Sequence, residues 1–515
     1  MNGAQSLVTT LLRSGVDVCF TNPGTSEMHF VAALDSIAGM RCVLALFEGV
    51  ATGAADGYYR IAGRPASTLL HLGPGLANGL ANLHNAKKAG SGVVNVVGEH
   101  ATAHIALDAP LASDIEGLAG PMSHWVRTSR SAANVGKDGA EAVAEARFAP
   151  GRIATLILPG DAAWDPGGVV AEPLAVPARE TVDPTRLEAA ADALRLGPSS
   201  LLLLGGDALS ADNLEMAGRI AAKTGCGLLA EWANARVERG AGRVSVNRIP
   251  YVVEKAVDLL KDYDRIVLMG ARPPIAFFAY PDKPGILSRP GCEILETADR
   301  AHDLSNALAG LADLLNAGST VPAGIAEAGR PDRPTGAVTP ESIAAALGAT
   351  LPEGTIVIDE SVTTGRGFFP ATAGAPPHIW LNNLGGSIGY GLPAAIGAAI
   401  AAPDQKVLAM IGDGSAMYTL QALWTMAREN LDIVALIFAN RSYRILMGEL
   451  ANVGVQNPGP RAMDMLNLTN PAPDWVQLAN GHGVAASRVD SADALASALS
   501  DRFGERGPGL IEVVF

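Results

Sequence analysis

Short runs of β-branched and leucine residues alternate with alanine-rich stretches of helical spacing along nearly the whole chain, and the runs end in Gly, Pro, Asn or Asp. Such a rhythm predicts βα units, because strands of a parallel sheet are covered on both faces and read as continuous apolar runs. In a first block the strands are expected at 16–20, 43–47, 68–72, 93–97 and 154–158. A second block has 201–204, 227–230, 265–269 and 293–295, and a third has 355–358, 406–411, 433–438 and 510–514. Two proline-rich polar stretches, 172–184 and 323–340, separate the blocks and have the composition of linkers. The expected fold is α/β with three doubly wound parallel-sheet domains, at 1–175, 185–325 and 338–515. A chain of 515 residues is too long for one core, which agrees with three domains.

Composition narrows the function classes. A formal charge of −14 without a basic patch argues against nucleic acid. Apolar runs such as 433–439 are too short to cross a bilayer, and the N-terminus lacks a basic, apolar leader, so no membrane partner and a cytoplasmic location are expected. Cys19, Cys42, Cys226 and Cys292 have no CxxC spacing and point to neither a disulfide framework nor a zinc site.

Chemistry concentrates in 406–443. The run KVLAMI leads into Gly412-Asp413-Gly414-Ser415, and DIVALIFA leads into Asn440-Arg441-Ser442-Tyr443. Magnesium takes oxygen ligands and shares them with phosphate, so the Asp413 carboxylate, the Asn440 amide oxygen and the Ser442 carbonyl form a candidate metal set. Gly412, Gly414 and Ser415 offer close backbone approach to a diphosphate. A Gly-Asp-Gly after a strand is by itself more often a plain turn. Its span of 27 residues from Asp413 to Asn440, filled by strand, helix and strand, makes the reading specific.

With that spacing the segment resembles the signature of the thiamine-diphosphate-dependent enzymes. The resemblance extends to Gly385-Gly386-Ser387-Ile388-Gly389, where Ile388 takes the place of the wedge that bends the cofactor and the Gly386 carbonyl that of an acceptor for its 4′-amino group. Ser361, Thr363 and Tyr443 fall at positions implied to border the cofactor. Upstream, Phe47-Glu48-Gly49 followed by ATGAADGYYR is similar to the family's glutamate and the helix after it. Read without the family, Glu48 is a first-turn helix carboxylate. Within the motif it becomes the partner of pyrimidine N1′, favouring the imino tautomer that deprotonates C2 to the nucleophilic ylide.

The whole chain is similar to the acetolactate synthase and benzoylformate decarboxylase branch. That resemblance implies thiamine diphosphate and Mg2+, a 2-oxo acid substrate, an aldehyde or second 2-oxo acid as acceptor, and a homodimer or homotetramer with sites at subunit interfaces. His71 matches a pocket histidine and is assigned a catalytic role beside Glu48. Thr25, in Asn22-Pro23-Gly24-Thr25, matches a contact to the substrate carboxylate. A second pocket histidine of the decarboxylases is replaced by Phe278. No tryptophan follows Tyr443 closely and no flavin-binding sequence is evident, so the match to acetolactate synthase is partial as well. The expected function is a carboligase or 2-oxo acid decarboxylase of acetolactate synthase-like character. Its alternatives are a benzoylformate decarboxylase-like lyase and a non-catalytic cofactor-binding subunit, and the presence of Glu48 disfavours the last. A dinucleotide-dependent oxidoreductase lacks the required glycine turn.

Overall fold

A computed structural model describes residues 1–515. Its first sheet holds β1 (Val18–Asn22), β2 (Arg41–Leu44), β3 (Ala66–Leu70), β4 (Val93–Glu99), β5 (Trp125–Thr128) and β6 (Ile153–Pro159), in spatial order β2-β1-β3-β4-β6-β5, all parallel. The next strands in the chain are β7 (Ser200–Leu204), β8 (Gly227–Ala230), β9 (Val237–Arg239), β10 (Asn247–Arg248), β11 (Arg265–Met269) and β12 (Glu293–Ala298). All of these except β9 form a second parallel sheet, ordered β10-β8-β7-β11-β12. The third contains β13 (Ile356–Glu360), β14 (His378–Asn382), β15 (Val407–Gly412), β16 (Ile433–Ala439), β17 (Ala485–Val489) and β18 (Gly509–Val514), ordered β17-β18-β16-β15-β13-β14-β9.

The apolar runs became central strands. All residues of β7 and β16 are buried, as expected for strands covered on both faces. Strands that the apolar pattern does not reveal are β5, β9, β10, β14 and β17, and four of these five lie at a sheet edge. An edge strand needs fewer apolar side chains, so sequences such as VER and AASRV carry little signal. β9 departs most from expectation. It lies within the central block of the chain but pairs antiparallel with β14 of the third sheet, giving that sheet one antiparallel edge. The stretch 323–340 is also pinned: Ser245 N–H donates to the Gly324 carbonyl and Ala326 N–H to the Arg243 carbonyl.

In an open parallel sheet, ligands gather where the strand order reverses, beyond the carboxyl ends. Here those points fall between β1 and β3 and between β13 and β15. Two helices lock the first and third sheets together, Glu48–Ala62 and Gly391–Ala401. Their backbones meet through small residues: a methyl group on Gly397 would sit 1.9 Å from the Ala54 carbonyl oxygen, and one on Gly57 would sit 2.1 Å from that of Ala394. Beside this contact, Arg60 is buried with Asp56, its Nη2 2.6 Å from Oδ2. Arg60 Nη1 crosses to the third sheet, donating to the Asn382 carbonyl at 2.6 Å and the Tyr390 hydroxyl at 2.8 Å.

Removing the cation alone strands a buried carboxylate. Arg60→Met should cost about 3–5 kcal/mol, read as a lower urea midpoint by circular dichroism, whereas Asp56→Leu/Arg60→Met should recover part of the loss. A double variant no better than the single one would show that the ion pair is not the source of the cost.

Candidate active site

Glu48 opens its helix after a bend, because β2 ends at Leu44 and does not continue to Phe47 as the apolar pattern implied. The carboxylate is 7% exposed. It accepts from Asn22 Nδ2 at 3.2 Å and from Asn78 Nδ2 at 3.0 Å, so the ends of β1 and of the β3 connection both orient it. His71 follows β3 at the turn into the helix Leu72–Ala89, where Leu72 adopts a left-handed φ of +53°. Its Nδ1 lies 2.7 Å from Glu27 Oε2, which also accepts the Gly24 N–H at 2.8 Å. The other Glu27 oxygen is buried without a partner. Burial pushes the Glu27 carboxyl above its ordinary value, against the opposing pull of His71. Thr25 sits exposed on the same turn.

The Gly385–Gly391 loop lies against these residues. Gly386 has φ +76°, and Asn383 Oδ1 accepts the N–H groups of Gly385 and Gly386 at 3.1 and 3.0 Å. Asn85 and His84 grip Ser387 and the Gly385 carbonyl, while Asn82 Nδ2 donates to both the Gly49 carbonyl at 2.8 Å and the Gly389 carbonyl at 3.2 Å. Asn82 thereby ties the start of the Glu48 helix to the loop carrying Gly386 and Ile388. Ile388 is half-buried.

In the third sheet, β15 and β16 run parallel with Gly412 opposite Phe438, which delivers Asp413 and Asn440 side by side beyond their carboxyl ends. Asp413 is 2% exposed and makes no ion pair; its Oδ2 accepts the Arg441 N–H at 2.7 Å and its Oδ1 the Gly414 N–H at 2.9 Å. Burial raises its carboxyl above the usual value, opposed by those two amides. Asn440 Oδ1 accepts the Ser442 N–H at 3.0 Å, and Arg441 between them has φ +54°. Gly414 must lack a side chain, since a methyl group there would sit 2.6 Å from the Tyr443 ring. Gly412 is open, with only Ser415 Oγ at 3.9 Å from such a methyl, and Ser415 is buried.

The Glu48 cluster lies at the reversal point of the first sheet and Asp413 borders that of the third, and known proteins share sequence with both regions. Residues 1–118 match the thiamine pyrophosphate enzyme N-terminal TPP binding domain, and residues 366–513 match the C-terminal TPP binding domain. "Putative acetolactate synthase large subunit IlvX" of Mycobacterium tuberculosis is 52% identical over 515 residues, covering 100% of this chain and 99% of the relative. The chain belongs to the thiamine pyrophosphate enzymes. A benzoylformate decarboxylase of Pseudomonas aeruginosa is 28% identical over 98% of this chain and 97% of its own. The fold matches that of the Rhodococcus jostii thiamine diphosphate-dependent 4-hydroxybenzoylformate decarboxylase with a TM-score of 0.85 at 23% identity, over 100% and 99% of the two chains. Family members of these kinds are carboligases and decarboxylases.

In this thiamine pyrophosphate enzyme two residues, Phe278 and Ser361, sit differently from expectation. Phe278 is 53% exposed, and its neighbour Phe277 is the ring that meets the loop, 2.8 Å from where a Gly386 methyl would lie. Phe277 meets Trp232 edge to face and Tyr251 at a tilt along a cavity of about 150 Å³ that also reaches Leu384. Ser361 turns its hydroxyl inward to Asp359 at 2.5 Å, leaving half-buried Thr363 as the freer hydroxyl after the left-handed Val362. Sequence reasoning missed Glu27, Asn22 and Asn78. Asn22 stood in the quoted NPGT turn, but a hydrogen bond to a carboxylate 26 positions away leaves no local pattern.

Glu27 makes the site pH-sensitive. The folded protein holds this proton to higher pH than the unfolded chain, so the carboxyl costs stability as pH rises above 4.5 until it is fully ionised in the fold. Glu27→Gln should flatten the fall of the thermal midpoint between pH 5 and pH 8, and parallel curves for the two proteins would contradict this.

Proposed function

We propose that the protein is a magnesium- and thiamine-diphosphate-dependent 2-oxo acid carboligase or decarboxylase. The observation that carries the reading is the pairing of two oxygen donors, the buried Asp413 and the half-buried Asn440, on adjacent strand ends in the domain that matches the C-terminal TPP binding family. This donor set would suit a hard divalent cation that neutralises a diphosphate: a carboxylate, an amide oxygen and a backbone carbonyl from Ser442. The cradle fits too, because Gly414 and the open Gly412 leave room where a side chain would intrude.

Thiamine diphosphate, when bound, supplies an electron sink for the carbon beside a 2-oxo acid carbonyl. The chain's own residues supply the rest. Glu48, held by two asparagine amides, is positioned to exchange a proton with the pyrimidine ring. The Gly386 carbonyl and the Ile388 side chain face that ring in the reading implied by the motif, with Ser415, Thr363 and Tyr443 around the diphosphate. His71 has Nδ1 engaged by Glu27, so Nε2 is the atom through which it can give or take a proton, with Thr25 at the rim for the substrate carboxylate.

Phe278 stands where the decarboxylases carry their second pocket histidine, Phe277 is the ring beside Gly386, and His84, the other histidine at the loop, has its Nε2 at the Gly385 carbonyl. That favours transfer of the acyl group to an aldehyde or 2-oxo acid over rapid protonation, the acetolactate synthase-like outcome; a benzoylformate decarboxylase-like lyase is the second reading, supported by the relative of that name. Large apolar side chains left exposed on the single chain, Leu107 at 68%, Tyr418 at 55% and Met465 at 74%, support a homodimer or homotetramer that covers them. No helix is long and apolar enough to cross a membrane, and the proposed location is cytoplasmic.

Asp413→Ala or Asn440→Ala should weaken thiamine diphosphate binding at least about 100-fold and abolish its magnesium dependence, as measured by calorimetry, since each removes an oxygen ligand. Unchanged affinity and unchanged magnesium dependence in either variant would overturn the assignment. Pyruvate, benzoylformate and branched 2-oxo acids offered with and without aldehyde then separate ligation from simple decarboxylation.

A further inference from the structure

Glu360, the last residue of β13, is among the most deeply placed carboxylates in the molecule, at 4% exposure, and the proposed chemistry does not use it. Its two oxygens accept three consecutive backbone N–H groups: Gly389 to Oε1 at 2.8 Å, Tyr390 to Oε1 at 3.2 Å and Gly391 to Oε2 at 2.7 Å. These amides end the loop that carries Gly386 and Ile388 and begin the helix Gly391–Ala401. The loop reaches them through a left-handed Gly389 at φ +90°, and a methyl group on Gly391 would sit 3.0 Å from Glu360 Oε2. An ordinary helix cap comes from the residue just before the helix. Here the cap comes from a neighbouring strand, so the carboxylate fixes where the loop lies relative to the sheet.

No lysine, arginine or histidine bonds to Glu360. From its own strand, Asp359 spends its oxygens on Ser361, Trp380 and Asn382. From the helix start comes Tyr390, whose hydroxyl accepts from Arg60, itself neutralised by Asp56 of the packed helix. β15 offers the apolar Ile411. Burial therefore dominates, pushing the carboxyl up to about 7 against the pull of the three backbone amides and the Asn383 side chain.

We propose that Glu360 is a positioning residue whose ionised carboxylate clamps the Gly385–Gly391 loop in the form that receives the cofactor's pyrimidine, making cofactor affinity depend on pH. The inference rests on the proposed cofactor reading. A carboxylate accepts all three amides, whereas the neutral acid must itself place an O–H among donors. The clamp therefore tightens as pH rises through about 7. The sign for global stability is opposite: an acid with a raised folded value costs stability as pH rises above its unfolded value. Local order is gained at the expense of the fold.

The test is calorimetric titration of thiamine diphosphate, at saturating magnesium, into the full-length protein and Glu360→Gln at pH 6 and pH 8. Ionisation of the diphosphate is common to both and cancels. Wild type should gain about fivefold more affinity over this range than the variant. Equal pH dependence overturns the role of Glu360 while leaving the cofactor reading intact. Wild type that binds no thiamine diphosphate at either pH overturns both. Should Glu360→Gln not fold, hydrogen exchange of wild-type amides 389–391 decides: protection corrected for intrinsic rates must rise from pH 6 to pH 8, and unchanged or falling protection overturns the clamp.

Discussion

The contact between the helices Glu48–Ala62 and Gly391–Ala401 constrains everything around it. Gly57 and Gly397 let the two backbones touch, and no residue with a Cβ fits at either place without moving main-chain atoms. Each helix begins at an element of the candidate site, one at Glu48 and the other directly after the loop of Gly386 and Ile388. Packing the two helices thus sets, within one chain, the relation between the Glu48 carboxylate and the Gly385–Gly391 loop, both of which the proposed reading assigns to cofactor sites. The buried Asp56–Arg60 pair reinforces this by spending two of its donor hydrogens across the junction, on Asn382 and Tyr390. Ion pairs of this kind contribute little net stability but penalise every arrangement that leaves them unpaired.

Much of this was legible before any coordinates. Parallel strands announce themselves as apolar runs, and the interval between Asp413 and Asn440 is the helix-and-strand step from the end of β15 to the end of β16, so spacing pointed to the metal candidate. What stayed hidden has a common cause. Edge strands such as β9 need few apolar residues, and its antiparallel pairing with β14 is a long-range event. The amide groups of Asn22 and Asn78 on Glu48, the Glu27–His71 pair and the clamp on Glu360 join residues far apart in the chain, and polar side chains have no periodicity to betray them. Phe277 and Phe278 show the limit most sharply: adjacent aromatic residues in a loop without regular structure differ in direction, and only the coordinates distinguish the one beside Gly386.

The polar groups around the candidate site are tuned by burial more than by counter-charge. Glu27, Glu360 and Asp413 all have carboxyls raised chiefly by desolvation and restrained by amides or a histidine. Backbone amides hold a carboxylate in place without neutralising its charge, so the group can still take up a proton. Nearby, left-handed backbone at Leu72, Val362 and Arg441 marks the turns that follow β3, β13 and β16, where non-glycine residues are held in a costly conformation by their surroundings.

The central claim is that Glu48 and the Asp413–Asn440 edge act on one bound cofactor. It is tested most directly by following hydrogen–deuterium exchange at C2 of enzyme-bound thiamine diphosphate, by rapid-quench NMR, in wild type and Glu48→Gln. The account predicts that Glu48→Gln binds the cofactor with its magnesium dependence intact while exchange slows by about 10²–10⁴-fold, the contribution of a positioned proton-transfer group. Exchange at the wild-type rate in the saturated variant would contradict it.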